Sequence, residues 1–288
     1  MANIKDLKKK IKSTKGTLKI TSAMKLVSAA KLNRAQIAIQ SSRPYAKELE
    51  ETIKTVSALV QNYTHEYLVE SENTKAALLV ISSNKGLCAG YNSQLAKKVK
   101  NFISDSSEEL DGYFIGKKVK DLIKKDIEVV KEFSFNRIEP TYNEMVDVAN
   151  ELAEKFKAGE IGKIYVAYNV FESAISFEPT VKQVLPMSLA EEEKEELRDK
   201  FPFDFKYEPT PKEILDGLIP QTYISAIYTS LLDGIAAEHG SRMSAMDSAS
   251  SNCKEAIDKL TIKMNKLRQA AITTELIEVV SGAESLNG

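Results

Sequence analysis

The chain has 288 residues, 43% hydrophobic and 28% charged, with a net charge of −1, an ordinary balance for a globular protein that builds its core without staples. No run approaches 18 uninterrupted apolar residues and no short apolar N-terminal segment carries a cleavage site, so neither a bilayer span nor an exported leader is expected. Cys88 and Cys253 are the only cysteines and His65 and His239 the only histidines; their spacings match neither a disulfide framework nor a zinc site, and no metal is expected.

All eight prolines lie between Pro44 and Pro220. An interior proline costs a helix about 3 kcal/mol, so the two proline-free ends are predicted to be long helices. In the first, Ile4, Leu7, Ile11, Leu18, Leu32 and Ile39 recur at steps of three and four, with Ile20, Met24, Val27 and Ile37 widening the stripe. Pro44 is expected to bend this helix, after which Leu49, Ile53, Val56 and Val60 keep helical spacing. Residues 1–34 hold nine Lys and one Arg against Asp6, a segment of +9 that leaves −10 for the remainder. That basic run reads either as a solvated face or as a surface for an acidic partner.

The middle, residues 74–216, alternates in type. Strands are predicted at AALLVIS (76–82), GYFIG (112–116), IEVVKEFS (127–134), KIYVAYNVF (163–171) and ISFEPTVKQVL (175–185). Helices fall between them at Asn92–Phe102, Lys117–Lys125 and Thr141–Lys157, giving a β-α-β-α-β order closed by a hairpin. The acidic run AEEEKEELRDK (190–200) and FPFDFKYEPTP after it read as a solvated segment and a proline-stiffened connection.

The stretch ISSNKGLCAGYNSQL (81–95) has the layout of a strand, a glycine-bearing turn and a helix N-terminus that suits an anion. Its details argue otherwise. A P-loop places its lysine after the second glycine, whereas Lys85 precedes both Gly86 and Gly90, and the G-x-x-x-G spacing also fails the dinucleotide fingerprint. A tight turn between strand and helix is the plainer reading. No G-x-S-x-G, H-E-x-x-H or histidine-centred triad is present.

At the C-terminal end, steps of three and four from Met243 reach Met246, Ser250, Cys253, Ile257, Leu260, Met264, Leu267 and Ala271. This is a coiled-coil seam over four heptads, with small members and charged flanks. A helix from about Gln221 to Ser281 spans roughly 90 Å at 1.5 Å per residue. Two long helices with one apolar seam each are most economically satisfied by pairing with each other. The fold class is therefore α/β: a long antiparallel coiled coil of N- and C-terminal helices (1–60 and 217–288) with a central small α/β (Rossmann-like) domain (74–216). Three functions fit such a chain: a mechanical coupling subunit, an α/β nucleotide-binding protein with a helical appendage, or a free-standing coiled-coil scaffold.

The segments KITSAMKLVSAAKLNRAQ (19–36), NKGLCAGYN (84–92), YEPTPKEIL (207–215), SRMSAMDSASSNCKEAIDKL and NKLRQAAITTELIEVVSGA closely resemble, from end to end and in order, the gamma subunit of F-type ATP synthases. The resemblance implies a rotor, one copy per complex, whose coiled coil runs up the axis of three alpha and three beta subunits. It implies that the α/β domain adjoins the epsilon subunit and the c-subunit ring. It implies no catalytic, cofactor-binding or metal-binding residue in this chain, no nucleic-acid partner, and a peripheral place at the cytoplasmic face of a bacterial inner membrane.

By the same resemblance, Met24 and Lys25 in SAMKLVSAA meet the moving domains of beta. Arg242, Arg268, Gln269, Thr273 and Glu275 make polar contacts with beta from the C-terminal helix. Tyr207 and Glu208 fall near the c ring. The basic N-terminal segment suits an acidic element of beta. The chain departs from the family's D-R-G-L-C-G-G loop at Asn84, Lys85 and Ala89, and Ala89 implies that a positive φ is not needed there. It lacks a cysteine-bearing regulatory insertion, so thiol control is not expected.

Overall fold

A computed structural model describes residues 2–60, 63–69, 71, 73–135, 140–187, 191–201 and 205–287. The chain divides into two compact units, residues 1–28 with 242–288, and residues 29–241. Its elements are α1 (Ala2–Leu59), β1 (Lys75–Ile81), α2 (Tyr91–Asp105), β2 (Glu109–Ile115), α3 (Lys117–Ile123), β3 (Glu128–Phe133), α4 (Tyr142–Lys157), β4 (Lys163–Ser173), β5 (Ser176–Leu185), α5 (Glu191–Lys200) and α6 (Pro211–Asn287).

In the larger unit the five strands form one sheet in the order β3-β2-β1-β4-β5. β1 pairs in parallel with both β2 and β4, and only β5 runs antiparallel, as the return arm of a hairpin. Every β1 residue from Ala76 to Ile81 is buried, as expected for a parallel strand covered on both faces. One face packs Leu78 and Val80 against Leu95 and Val99 of α2 and Val119 and Ile123 of α3. The other packs Leu79 and Ile81 with Met145 and Leu152 of α4, Leu49 and Ile53 of α1, and a stripe of α6. The start of α4 is fixed by a capping box in which Thr141 and Glu144 satisfy each other's backbone N–H groups.

Two expectations about the helices need correction. The last helix begins at Pro211, ten residues before Gln221, and contains Pro220. Its entry is a well-formed N-terminus: the Thr210 hydroxyl accepts from Glu213 N–H at 3.2 Å, and Pro211 occupies the first helical position, where its missing N–H costs nothing. Pro220 is tolerated because Leu215, Ile219, Tyr223, Ile227 and Leu231, one per turn, are all buried in the core; that burial outweighs one lost backbone bond. α1 spans both sides of Pro44, in line with the helical spacing that resumes at Leu49. The acidic run forms α5, mostly exposed, whose Arg198 donates to Ala58 O at 2.9 Å; Ala190 and residues 202–204 of that stretch lie outside the described residues.

One polar contact ties α1, β4 and α6. Arg43 pairs with Asp233 and donates to Phe171 O at 2.9 Å, while Phe171 N–H donates to Asp233 at 3.4 Å. Burial pushes the Asp233 carboxyl above its ordinary 3.8, and the Arg43 guanidinium opposes that rise. A carboxyl raised in the folded state contributes its full stability below its unfolded value and loses it as pH rises through the folded one. Arg43→Met removes the opposing charge and leaves a nearly unexposed carboxylate. It is expected to destabilise the chain by about 2 kcal/mol at pH 7, discounted for the half-exposed arginine, and by clearly less at pH 4. Urea denaturation at the two pH values measures the difference.

Candidate functional site

In the smaller unit the two chain ends pair through their seams. Ser250 donates its hydroxyl to Thr21 Oγ1 at 2.8 Å, Thr21 donates to Leu18 O at 3.1 Å, and Lys25 Nζ lies 2.6 Å from Asp247 Oδ1. Rising numbers on one segment meet falling numbers on the other, so the pairing is antiparallel. Continuing that register places Ile4 opposite Leu267, Leu7 opposite Met264, Ile11 opposite Leu260, Thr14 opposite Ile257 and Leu18 opposite Cys253. Each of these residues is buried or half-buried, as are Met243, Met246 and Ser250. The C-terminal seam is thus the expected one. Its N-terminal partner is narrower than expected: Ile20 (61% exposed) and Val27 (58%) face outward, because a two-helix seam needs only the a and d positions; Ile37, in the larger unit, is exposed too.

The same register brings Ala2 level with residues just before Ala271, so α6 outruns α1. Residues 272–283 are all exposed, among them Ile272, Leu276, Ile277, Val279 and Val280. A run of large apolar side chains on a lone helix marks an interaction surface. A second apolar group, Ile20, Leu26 and Val27, lies exposed on α1. N-terminal to it on the same helix, Lys5, Lys8, Lys9, Lys10, Lys12, Lys15 and Lys19 are exposed as well.

The residues singled out from the sequence scatter along this frame. Arg268, Gln269, Thr273 and Glu275 are exposed at the end of α6, though the Thr273 hydroxyl already donates to Gln269 O at 3.0 Å. Met24 is half-buried, and Lys25 is engaged by Asp247. Arg242 is buried, with 7% exposure. In the larger unit, Tyr207 is half-buried with its ring 6.5 Å from that of Phe205, and Glu208 is exposed. Asp247 and the Thr21–Ser250 pair were not anticipated as partners; the constant offset between the two seams was the signal that would have paired them.

The turn between β1 and α2 is bonded to itself and to α6. Ser83 donates to Lys85 O at 2.8 Å or Asn92 Oδ1 at 3.0 Å, and Tyr91 N–H donates to Cys88 O. Ser241 Oγ donates to Cys88 O at 2.7 Å, and Tyr91 OH donates to Gly234 O at 3.0 Å. A Cβ on Gly234 would meet Ile81 at 3.3 Å, so this glycine permits the close approach. The turn's left-handed residues are not its glycines but Leu87 (φ 63°) and Ala89 (φ 46°). This overturns the expectation for Ala89: the docked turn requires a positive φ there and alanine bears the strain.

A cavity of about 270 Å³ in the larger unit is lined by Ile53, Leu68, Val184, Pro186 and Met187. Its two lysines, Lys54 and Lys182, lie 3.1 and 3.6 Å from Glu50. Burial raises the Glu50 carboxyl, but Lys182 and Lys54 outweigh it and hold the group below its usual range. The charges a phosphate would seek are therefore already neutralised within the chain. Among the described residues no helix is long and apolar enough to cross a membrane.

A family model described as ATP synthase matches residues 3–286. The ATP synthase gamma chain of Trichlorobacter lovleyi is 38% identical, covering all of both chains, as is that of Flavobacterium johnsoniae. That of Anaeromyxobacter sp. is 39% identical over 99% of this chain and 100% of its own. Among solved structures, a chain of the Euglena gracilis mitochondrial ATP synthase has a TM-score of 0.67 at 16% identity, covering 99% of this chain and 95% of that one. A chain of the Tetrahymena thermophila central stalk and c-ring has a TM-score of 0.59 at 22% identity, covering 80% and 99%. At these identities the structural likeness is one of fold.

Three substitutions at two positions check the geometry. Ala89→Gly relieves a left-handed alanine and is expected to stabilise the chain by about 1 kcal/mol, read as a raised urea midpoint with unchanged slope. Ser250→Ala leaves Thr21 bonded to Leu18 O and is expected to cost about 1 kcal/mol or less, whereas Ser250→Leu overfills the seam and costs about 1–3 kcal/mol. Helical ellipticity followed through thermal melting ranks the two.

Proposed function

Since the chain belongs to the gamma-chain family of ATP synthases, we propose that it is the central rotor shaft of an F-type ATP synthase. It couples ion-driven rotation of the c-subunit ring to the conformational cycle of the beta subunits. The chain is non-catalytic: ATP is made in the alpha and beta subunits, and this subunit supplies an asymmetric axle that turns among them. Its partners are three alpha and three beta subunits, epsilon and the c ring, with one copy in each complex. We place it at the cytoplasmic face of a bacterial inner membrane, held there through the complex.

The observation that carries this reading is the exposed apolar run of α6 from Ile272 to Val280. Five large apolar side chains exposed on a single helix call for a surrounding surface, and a ring of alpha and beta subunits supplies one. Within it, Arg268, Gln269, Thr273 and Glu275 are the polar groups offered to beta, with Met24 and Lys25 lower on the paired segment. Arg242, buried in the chain itself, reaches beta only through rearrangement of its neighbours. The exposed lysines of residues 1–19 give the acidic element of beta a complementary face. Tyr207 and Glu208 are assigned to the c-ring side. In this reading residues 1–60 and 217–288 are the shaft and residues 74–216 its foot.

Mixing the chain with alpha and beta subunits is expected to give one large ATPase particle containing a single copy of it. A chain that elutes alone, or as a homodimer that ignores alpha and beta, would contradict the proposal. A chain ending at Ala271 is expected to assemble with an intact α/β domain yet show a lower ratio of ATP-driven ion pumping to hydrolysis in reconstituted vesicles.

A further inference from the structure

We propose that Arg43 and Asp233 act as a torque latch, locking α1 and α6 to one point of the sheet; the proposal rests on the rotor reading above. The point is the backbone of Phe171 on β4. Its N–H donates to Asp233 of α6, its carbonyl accepts from Arg43 of α1, and Arg43 and Asp233 pair with each other. Both helices therefore grip a single residue, one through its donor and one through its acceptor, and the grip closes into a ring.

The position of the ring gives it mechanical meaning. Phe171 faces Phe177 of β5 in the hairpin register, beyond the last β1 pairing at Ala167, so the held residue anchors the two-stranded arm that extends the sheet. The apolar stripe of α6 holds the helix against the sheet, but apolar contact is non-directional and resists separation more than sliding. Hydrogen bonds between charged groups and a backbone fix direction as well as distance. Turning the helix pair about its own axis against the sheet stretches both Phe171 bonds at once. Among the described residues a second ion pair joining α1 to the sheet, Glu50 with Lys182, is 42% and 48% exposed, and solvent screening weakens it. One residue beyond Asp233, the Gly234 carbonyl accepts from Tyr91 OH, so α6 is secured twice within a single turn.

The test uses the whole complex in vesicles, with pumping followed by a voltage-sensitive dye and hydrolysis by phosphate release. Arg43→Met breaks the ring; the double variant Arg43→Met with Asp233→Leu replaces the ion pair by apolar groups, an exchange that commonly restores stability. Both are expected to assemble, to keep hydrolysis within about twofold of wild type, and to lower the pumping-to-hydrolysis ratio at least twofold. Arg43→Lys, which keeps the pair but not the fork to Phe171, is expected to fall between. Should Arg43→Met fail to assemble, the near-isosteric Asp233→Asn serves, with a reduced ratio supporting the latch and a wild-type ratio overturning it. A double variant whose ratio recovers along with its stability would overturn the latch, leaving a structural ion pair only. Loss of assembly by the wild-type chain would instead overturn the rotor reading.

Discussion

The structure depends on one constraint: a buried step of three and four, apolar toward the chain ends and small or polar further in, kept along both ends of the chain. On α1 the buried or half-buried positions run Ile4, Leu7, Ile11, Thr14, Leu18, Thr21, Lys25 and Ser28, and on α6 Met243 to Ala271 follow the same rule. A heptad repeat alone also allows registers displaced by whole heptads, and the polar pairs Thr21 with Ser250 and Lys25 with Asp247 select one of them. That register puts Thr21 against Ser250, where hydroxyls of small residues bond directly. It also determines that α6 runs past α1. The exposed apolar end follows from the offset of the two segments and needs no separate explanation.

Within residues 29–241 a different economy holds. The central strands β1 and β2 are buried on both faces, and α6 is part of the sheet's cover. Polar groups there are spent on fastening: Ser241 to Cys88, Tyr91 to Gly234, Tyr223 to Ala149, and Arg43 and Asp233 to Phe171. The turn after β1, which has the outline of a phosphate cradle, is one of these fasteners, with backbone strain at Leu87 and Ala89 bought by its contact with α6. A subunit that transmits force needs stiffness at such joints more than it needs a cleft.

Much of this was legible in the sequence. All five strands and the three helices between them lie within a few residues of their expected places, the central strands as continuous apolar runs covered on both faces and the longer helices by a buried stripe of helical period. The C-terminal seam was readable residue by residue. The start of α6 was missed because Pro220 outweighed the T-P-K-E cap at Thr210, a local penalty that the buried stripe from Leu215 to Leu231 overrides. Ile20, Val27 and Ile37 were misplaced because an apolar residue beside a seam looks the same from the sequence whether it faces a partner helix or an outside one. The positive φ at Ala89 was invisible because it comes from docking between distant segments. As for the functional residues, Arg268, Gln269, Thr273 and Glu275 were reached through the family resemblance. Exposure on a lone helix is what the structure adds to them.

The register is most directly tested by cross-linking in the full chain. Cys253 sits on the α6 seam, and the offset set by Thr21 and Ser250 puts it opposite Leu18. Under mild oxidation Leu18→Cys is expected to form a disulfide with Cys253 within one chain, whereas Thr14→Cys and Thr21→Cys, one seam position to either side, are not. Cross-linking from either neighbour in preference to position 18, or only between separate chains, would contradict the paired seam on which the account stands.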